Sequence, residues 1–207
     1  MSNTKSPKRS RPVVRREVKA DNNPLLFATK FLKHGTRISS VAPSSRPLAR
    51  ALCRDIDKTK PQIIVELGAG TGPVTQMIVE QMHPESTLVV SEIDPDFCEI
   101  LRKRFPQARV VEGDAGQLSE HLGDLPPVDV ILCCLPTPSL PEKAKEGVLK
   151  WIASQPQATF AQLTVIPWVF KPVYKKIFHK VDFDLVVRNI PPGGVYHCRQ
   201  PRMAAAS

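Results

Sequence analysis

The chain has 207 residues, enough to bury a sizeable core, and carries a formal net charge of +9. No run is long and apolar enough to cross a bilayer as a helix, so no transmembrane helix is expected. Five cysteines (Cys53, Cys98, Cys133, Cys134, Cys198) form neither a C-x-x-C pair nor a zinc spacing, so no metal site is expected. Their odd number, without a disulfide framework, points to reduced thiols in the cytoplasm.

The charge is concentrated at the start. Lys5, Lys8, Arg9, Arg11, Arg15, Arg16 and Lys19 crowd the first twenty residues against Glu17 alone. Residues 1–21 are expected to be a disordered basic tail, attracted to an anionic surface. Met1 to Lys19 lacks the apolar segment of a secretory signal. Residues 22–57 form an N-terminal extension. Within 24–35, Leu25, Leu26, Phe27, Phe31 and Leu32 are apolar, and Lys30, Lys33 and the following Arg37 share one helical face. The pattern suits a basic amphipathic helix lying on an anionic membrane, or equally an ordinary helix against the domain. A recognisable RNA-binding module is missing, so nucleic acid is not the expected partner.

Residues 58–201 read as one α/β domain, followed by a short tail at 202–207. Ile63 to Leu67 is an apolar run interrupted by Glu66, as in a buried parallel strand. Gly68, Gly70 and Gly72 then alternate, and Pro73 suits the first turn of a helix. The spacing is G-x-G-x-G rather than the G-x-G-x-x-G of dinucleotide sites, and no lysine follows as in a P-loop. Glu66 in front of the glycines would repel a pyrophosphate and suits a cationic ligand. A second strand, Thr87–Ser91, ends at Glu92, twenty residues after Gly72, where such folds hold ribose hydroxyls. Asp94-Pro95 reads as an N-cap and first-turn proline, and a helix runs on through Phe97, Ile100, Leu101 and Phe105. A third strand, Ala108–Glu112, ends at Gly113-Asp114-Ala115, where Asp114 is either a helix cap or a ligand contact. Further strands are expected at Asp129–Cys134 and Ala158–Ile166, and helices at Pro141–Ser154 and Pro172–His179. A closing hairpin of Asp182–Ile190 and Val195–Cys198 is expected round Pro-Pro-Gly-Gly.

The run Glu66-Leu67-Gly68-Ala69-Gly70-Thr71-Gly72, with Glu92 and Asp114 in order behind it, resembles motif I and its partners in the class I S-adenosylmethionine-dependent methyltransferases. That resemblance implies a Rossmann-like, mostly parallel seven-stranded sheet closed by an antiparallel hairpin. It implies a cofactor site at Glu66, Gly68, Ala69, Gly70, Thr71, Gly72, Glu92, Ile93, Asp114 and Ala115, with Asp114 at the adenine amino group.

The flanks narrow the resemblance. Val41-Ala42-Pro43-Ser44-Ser45, Leu135-Pro136 after the fourth strand, and Asn189-Ile190-Pro191-Pro192 are similar to segments of the bacterial phospholipid N-methyltransferases. The likeness runs from about Asn23 to Arg199. It implies methyl transfer from S-adenosylmethionine to the amine of a membrane lipid, phosphatidylethanolamine first, by a protein attached peripherally to the inner face of the membrane. The substrate residues it implies are Ser44, Leu135, Pro136 and Asn189. One departure stands out. The family's T-Y-G-P stretch after strand five reads Thr164-Val165-Ile166-Pro167 here, without the tyrosine. Another amine lipid, such as an ornithine lipid, is therefore the alternative acceptor. Trp168, Phe170 and Tyr174 lie close by and are expected either to hold a methylated ammonium or to fill core. The attacking amine must lose its proton, and Tyr174, Tyr196, His197 or water are the candidate bases. RNA adenine dimethylation is a second alternative. It expects an Asn and an aromatic after strand four, where this chain has Cys134-Leu135-Pro136-Thr137.

Overall fold

The computed structural model describes residues 45–123, 125–137, 140–164, 167–188 and 192–202, with side chains of 167–170 not described. The basic tail, the amphipathic segment 24–35, Ser44 and Asn189 lie outside the described residues.

The chain enters through helix α1 (Arg46–Leu52) and a short 3-10 turn, Cys53–Asp55. It then alternates β1 (Ile63–Leu67), α2 (Pro73–Gln81), β2 (Thr87–Glu92), α3 (Pro95–Arg104), β3 (Ala108–Glu112), α4 (Leu118–His121), β4 (Val130–Cys133), α5 (Glu142–Ala153), β5 (Thr159–Thr164) and α6 (Pro167–Ile177). It closes with β6 (Phe178–Val186) and β7 (Gly193–Pro201). The seven strands form one sheet in the order β3-β2-β1-β4-β5-β7-β6, mostly parallel and closed by an antiparallel hairpin as expected. The first five are parallel, and β7 is inserted antiparallel between β5 and β6.

Alternation along each strand splits the apolar residues into two layers. In β1, Ile64 faces Leu48 and Leu52 of α1 and Val74 and Ile78 of α2, whereas Val65 and Leu67 face Val148 and Trp151 of α5 and Tyr174 of α6. All of these are buried, and each fully buried aliphatic chain contributes roughly 1.5–3 kcal/mol relative to exposure. Helix starts follow local chemistry. Asp94 caps α3 by accepting from the Asp96 and Phe97 amides, and Pro95 follows it.

The chain departs from the sequence reading beyond β5. The helix begins at Pro167, not Pro172, which falls inside it, and gives way to β6 at Phe178. Either proline can start a helix, and the sequence does not rank them. Gly193 and Gly194 belong to β7 rather than to the turn, paired with Val186 and Leu185. Gly194 is needed there because the Phe183 ring lies on its Cα; a methyl group would stand 2.3 Å from Cζ.

Candidate functional site

An open parallel sheet binds ligands at the carboxyl ends of its strands, where the strand order reverses. Here the reversal falls between β1 and β4. β1 delivers the glycine turn, β2 Glu92, β3 Asp114 and β4 Leu135-Pro136, so these expected site residues stand at neighbouring strand ends.

The turn is built from left-handed glycines, with φ of +76° at Gly68, +57° at Gly70 and +88° at Gly72. Gly68 lets Leu135 close over the turn, since a methyl group there would meet Leu135 Cδ2 at 2.6 Å. Gly70 is the opposite case, because a methyl group there would find no atom within 4 Å. The first glycine is spent on packing, and the second faces open space. Gly72 caps α2, and the Thr71 carbonyl accepts from the Arg104 guanidinium.

Glu92 holds this turn in place. One carboxylate oxygen accepts from the Gly70 amide at 2.7 Å, and the other from the Ile93 and Asp94 amides at 2.8 and 3.0 Å. Ile93 itself is 66% exposed, unusual for an isoleucine beside buried strands. Asp114 accepts from the Gly116 amide at 2.8 Å and starts the short 3-10 turn Ala115–Gln117. It therefore caps, and capping engages one oxygen of a side chain that stays exposed.

Glu66 is the most unusual group. It is fully buried; its Oε2 accepts from Thr75 Oγ1 at 2.6 Å, while its Oε1 has no hydrogen-bond partner among the described residues. Burial pushes its carboxyl up to about 7, the Thr75 bond offsets part of this, and the Glu92 charge adds to it. A buried carboxylate oxygen without a partner costs free energy unless a ligand donor completes it. Thr75, one turn into α2, was not singled out in the sequence; a hydroxyl nine residues after an isolated buried Glu was its only signal.

The candidate bases and aromatics are placed differently. Tyr174 is fully buried, donates to Gln162 Oε1 at 2.8 Å and packs edge-on against Phe160 and Phe178. Its ring packs in the core, one of the three roles expected of it beside ammonium contact and proton acceptance. Burial raises the Tyr174 and Tyr196 hydroxyls above their ordinary range, so both keep their protons at neutral pH. His197 is fully buried on the α1 side, its Nδ1 3.0 Å from Asp55 Oδ2. Trp168 and Phe170 fall in the first turns of α6, and their side chains lie outside the described residues.

The family described as "Methyltransferase domain" matches residues 64–155. Over 181 residues the chain is 41% identical to the ornithine lipid N-methyltransferase of Singulisphaera acidiphila, covering 84% of this chain and 94% of that protein. The chain belongs to the class I S-adenosylmethionine-dependent methyltransferases. As a methyltransferase it shares its fold with the N-methyltransferase NodS from Bradyrhizobium japonicum WM9, solved with S-adenosyl-L-homocysteine. That match has a TM-score of 0.66 at 12% identity and covers 87% of this chain and 100% of that one. A shorter likeness, 35% over 74 residues, links the enzyme to the ribosomal RNA small subunit methyltransferase A of Chlorobium chlorochromatii, covering 30% of this chain and 27% of that protein. Two features of the site suit the methyltransferase's cofactor: the orphaned Glu66 Oε1 matches a ligand that brings a cation, and the space over Gly70 admits one against backbone.

Proposed function

We propose that the enzyme N-methylates the amine of a membrane lipid, with an ornithine lipid as its preferred acceptor. What carries this reading is the 41% identity to an ornithine lipid N-methyltransferase across 94% of that protein. The missing tyrosine after β5 also favours ornithine lipid over phosphatidylethanolamine, the acceptor first expected from sequence. Phosphatidylethanolamine stays as the second reading, on the Val41–Ser45 and Asn189–Pro192 segments. RNA adenine is disfavoured, because Cys134-Leu135-Pro136-Thr137 offers neither the Asn nor the aromatic that base binding requires.

The site residues divide the cofactor between them. Glu66 would meet the ammonium of the amino-acid end with its unpartnered oxygen. The backbone of Gly68, Ala69, Gly70, Thr71 and Gly72 would border the ligand. Glu92 would take the ribose hydroxyls, and Ile93, Asp114 and Ala115 would hold the adenine, with Asp114 accepting from its amino group. Bound there, S-adenosylmethionine supplies a methyl group on a sulfonium.

The protein's own task is then placement. Leu135 and Pro136 close the glycine turn from the β4 side and hold the lipid amine in line with the methyl, away from water. With Tyr174 and Tyr196 protonated and His197 engaged by Asp55, the amine's proton leaves through water. Residues 1–21 and the segment 24–35 bring the enzyme to the anionic cytoplasmic face of the membrane; each basic residue there contributes about 1 kcal/mol. No helix among the described residues is long and apolar enough to cross a membrane.

The test is radiolabelled methyl transfer to a total bacterial lipid extract, with products resolved by thin-layer chromatography. Label in an amine-lipid spot is expected. Label absent from every lipid, from a protein that binds S-adenosylmethionine, would refute the reading.

A further inference from the structure

Another polar side chain in the sheet is as deeply buried as Glu66. Gln162 sits in the middle of β5, fully buried, beside Cys133 of β4 and Tyr196 of β7. Its amide is satisfied at both ends. Oε1 accepts from Tyr174 Oη at 2.8 Å and Thr137 Oγ1 at 3.1 Å. Nε2 donates to the carbonyls of Leu135 at 2.9 Å and Leu163 at 2.8 Å. An apolar residue would fill this place without burying an amide, so the bonds, rather than the volume, explain a glutamine here.

What the amide holds is the segment after β4. The Leu135 carbonyl also accepts from the Thr137 amide at 2.8 Å, so Gln162 grips a tight turn at Leu135–Thr137. The other side of that turn rests on the glycine turn: the Cys134 amide donates to the Leu67 carbonyl at 2.9 Å, and the Leu135 side chain lies on Gly68. Leu135–Thr137 is thus fixed between the cofactor turn and Gln162. A fully satisfied buried network of this kind rigidifies what it holds, and methyl transfer is sensitive to displacements of about 1 Å.

We propose that Gln162, oriented by Tyr174 and Thr137, is a positioning residue for methyl transfer, which sets Leu135-Pro136 at the height over the glycine turn that in-line attack requires. The proposal rests on the functional reading above, for the acceptor and for Leu135 and Pro136 as the residues that place it. Tyr174 acts through Gln162 and touches no reacting atom.

Gln162→Met keeps the volume and removes all four bonds, and Tyr174→Phe removes one hydroxyl. Both are measured for S-adenosylmethionine affinity by calorimetry, for kcat and KM of labelled methyl transfer, and for hydrogen exchange over residues 133–137. Gln162→Met is expected to bind S-adenosylmethionine within threefold of wild type, to lose at least tenfold in kcat, and to exchange faster over 133–137 with 68–72 unchanged. Tyr174→Phe is expected to shift each quantity the same way by less, because Thr137 still holds the amide. Wild-type kcat in Gln162→Met, or a fall in kcat matched by an equal fall in cofactor affinity, would overturn the proposal. If Gln162→Met does not fold, the same split in Tyr174→Phe decides. Hydrogen exchange reads the turn whatever the acceptor is. A wild type that labels no lipid would therefore sink the lipid reading, while unchanged exchange in both variants would sink this one.

Discussion

Glu66 is a fully buried carboxyl with one oxygen bonded to Thr75 and the other without a partner among the described residues. Its carboxyl is raised by burial to about 7 from the usual 4.5. A group raised on folding favours the folded state fully below its unfolded pKa, and that contribution is lost as pH climbs from about 4.5 through 7. By pH 8 the ionised carboxylate costs on the order of 3 kcal/mol. A bound cation would recover that cost, so S-adenosylmethionine affinity should rise between pH 6 and 7.5, read by calorimetry. Glu66→Gln should be more stable than wild type at pH 8 without ligand, bind the cofactor at least tenfold more weakly, and lose the pH slope. An unchanged slope in that variant would remove Glu66 from the ligand site. The glycines separate fold from binding in the same way. Gly70→Ala meets no neighbour and adds only the roughly 1–2 kcal/mol of a left-handed alanine, so it should fold and lose cofactor affinity. Gly68→Ala collides with Leu135 and should lose thermal stability as well as activity.

Among the elements, α1 and the closing hairpin are tied by a charge cluster that spans the chain. Asp55, just after α1, accepts from Arg199 of β7 at 2.6 Å and stands 3.0 Å from His197, while Arg54 reaches Asp184 of β6 at 2.6 Å. Burial alone would raise the Asp55 carboxyl; the bonds from His197 and Arg199 outweigh it and hold the group at about 2. A carboxyl lowered on folding stabilises above its unfolded value, and the contribution is lost as pH falls from about 4 towards 2. Asp55→Ala should cost roughly 1.5–3 kcal/mol at pH 7, measured by denaturant unfolding, and should flatten the acid limb of the stability curve. This cluster was not legible in the sequence, because the pairs that tie α1 to the hairpin lie 130 to 144 residues apart and no motif announces them. By contrast β1 to β3 and the acids at their ends were legible, since buried parallel strands write themselves as short apolar runs and glycine turns punctuate them. α6 was misplaced because Pro167 and Pro172 both suit a helix start. Gln162 was missed because a single amide in Phe160-Ala161-Gln162-Leu163 looks like an ordinary half-buried strand position.

For the molecule as a whole, the strand ends gather the residues proposed to hold the cofactor, and the proposed acceptor follows from the likeness to an ornithine lipid N-methyltransferase. If residues 1–35 carry the membrane contact, the full protein should sediment with vesicles containing anionic lipid and release as salt screens the charges. A chain lacking those residues should bind S-adenosylmethionine normally and label vesicle lipid at least tenfold more slowly. Equal vesicle binding without residues 1–35 would move the contact elsewhere. The most direct measurement offers the enzyme three defined acceptors under one condition: ornithine lipid and phosphatidylethanolamine in matched anionic vesicles, and ribosomal RNA, each with radiolabelled S-adenosylmethionine. The expected result is kcat/KM highest for ornithine lipid, lower for phosphatidylethanolamine and no label in RNA. Label in RNA alone, or in neither lipid while the cofactor still binds, would contradict the assignment.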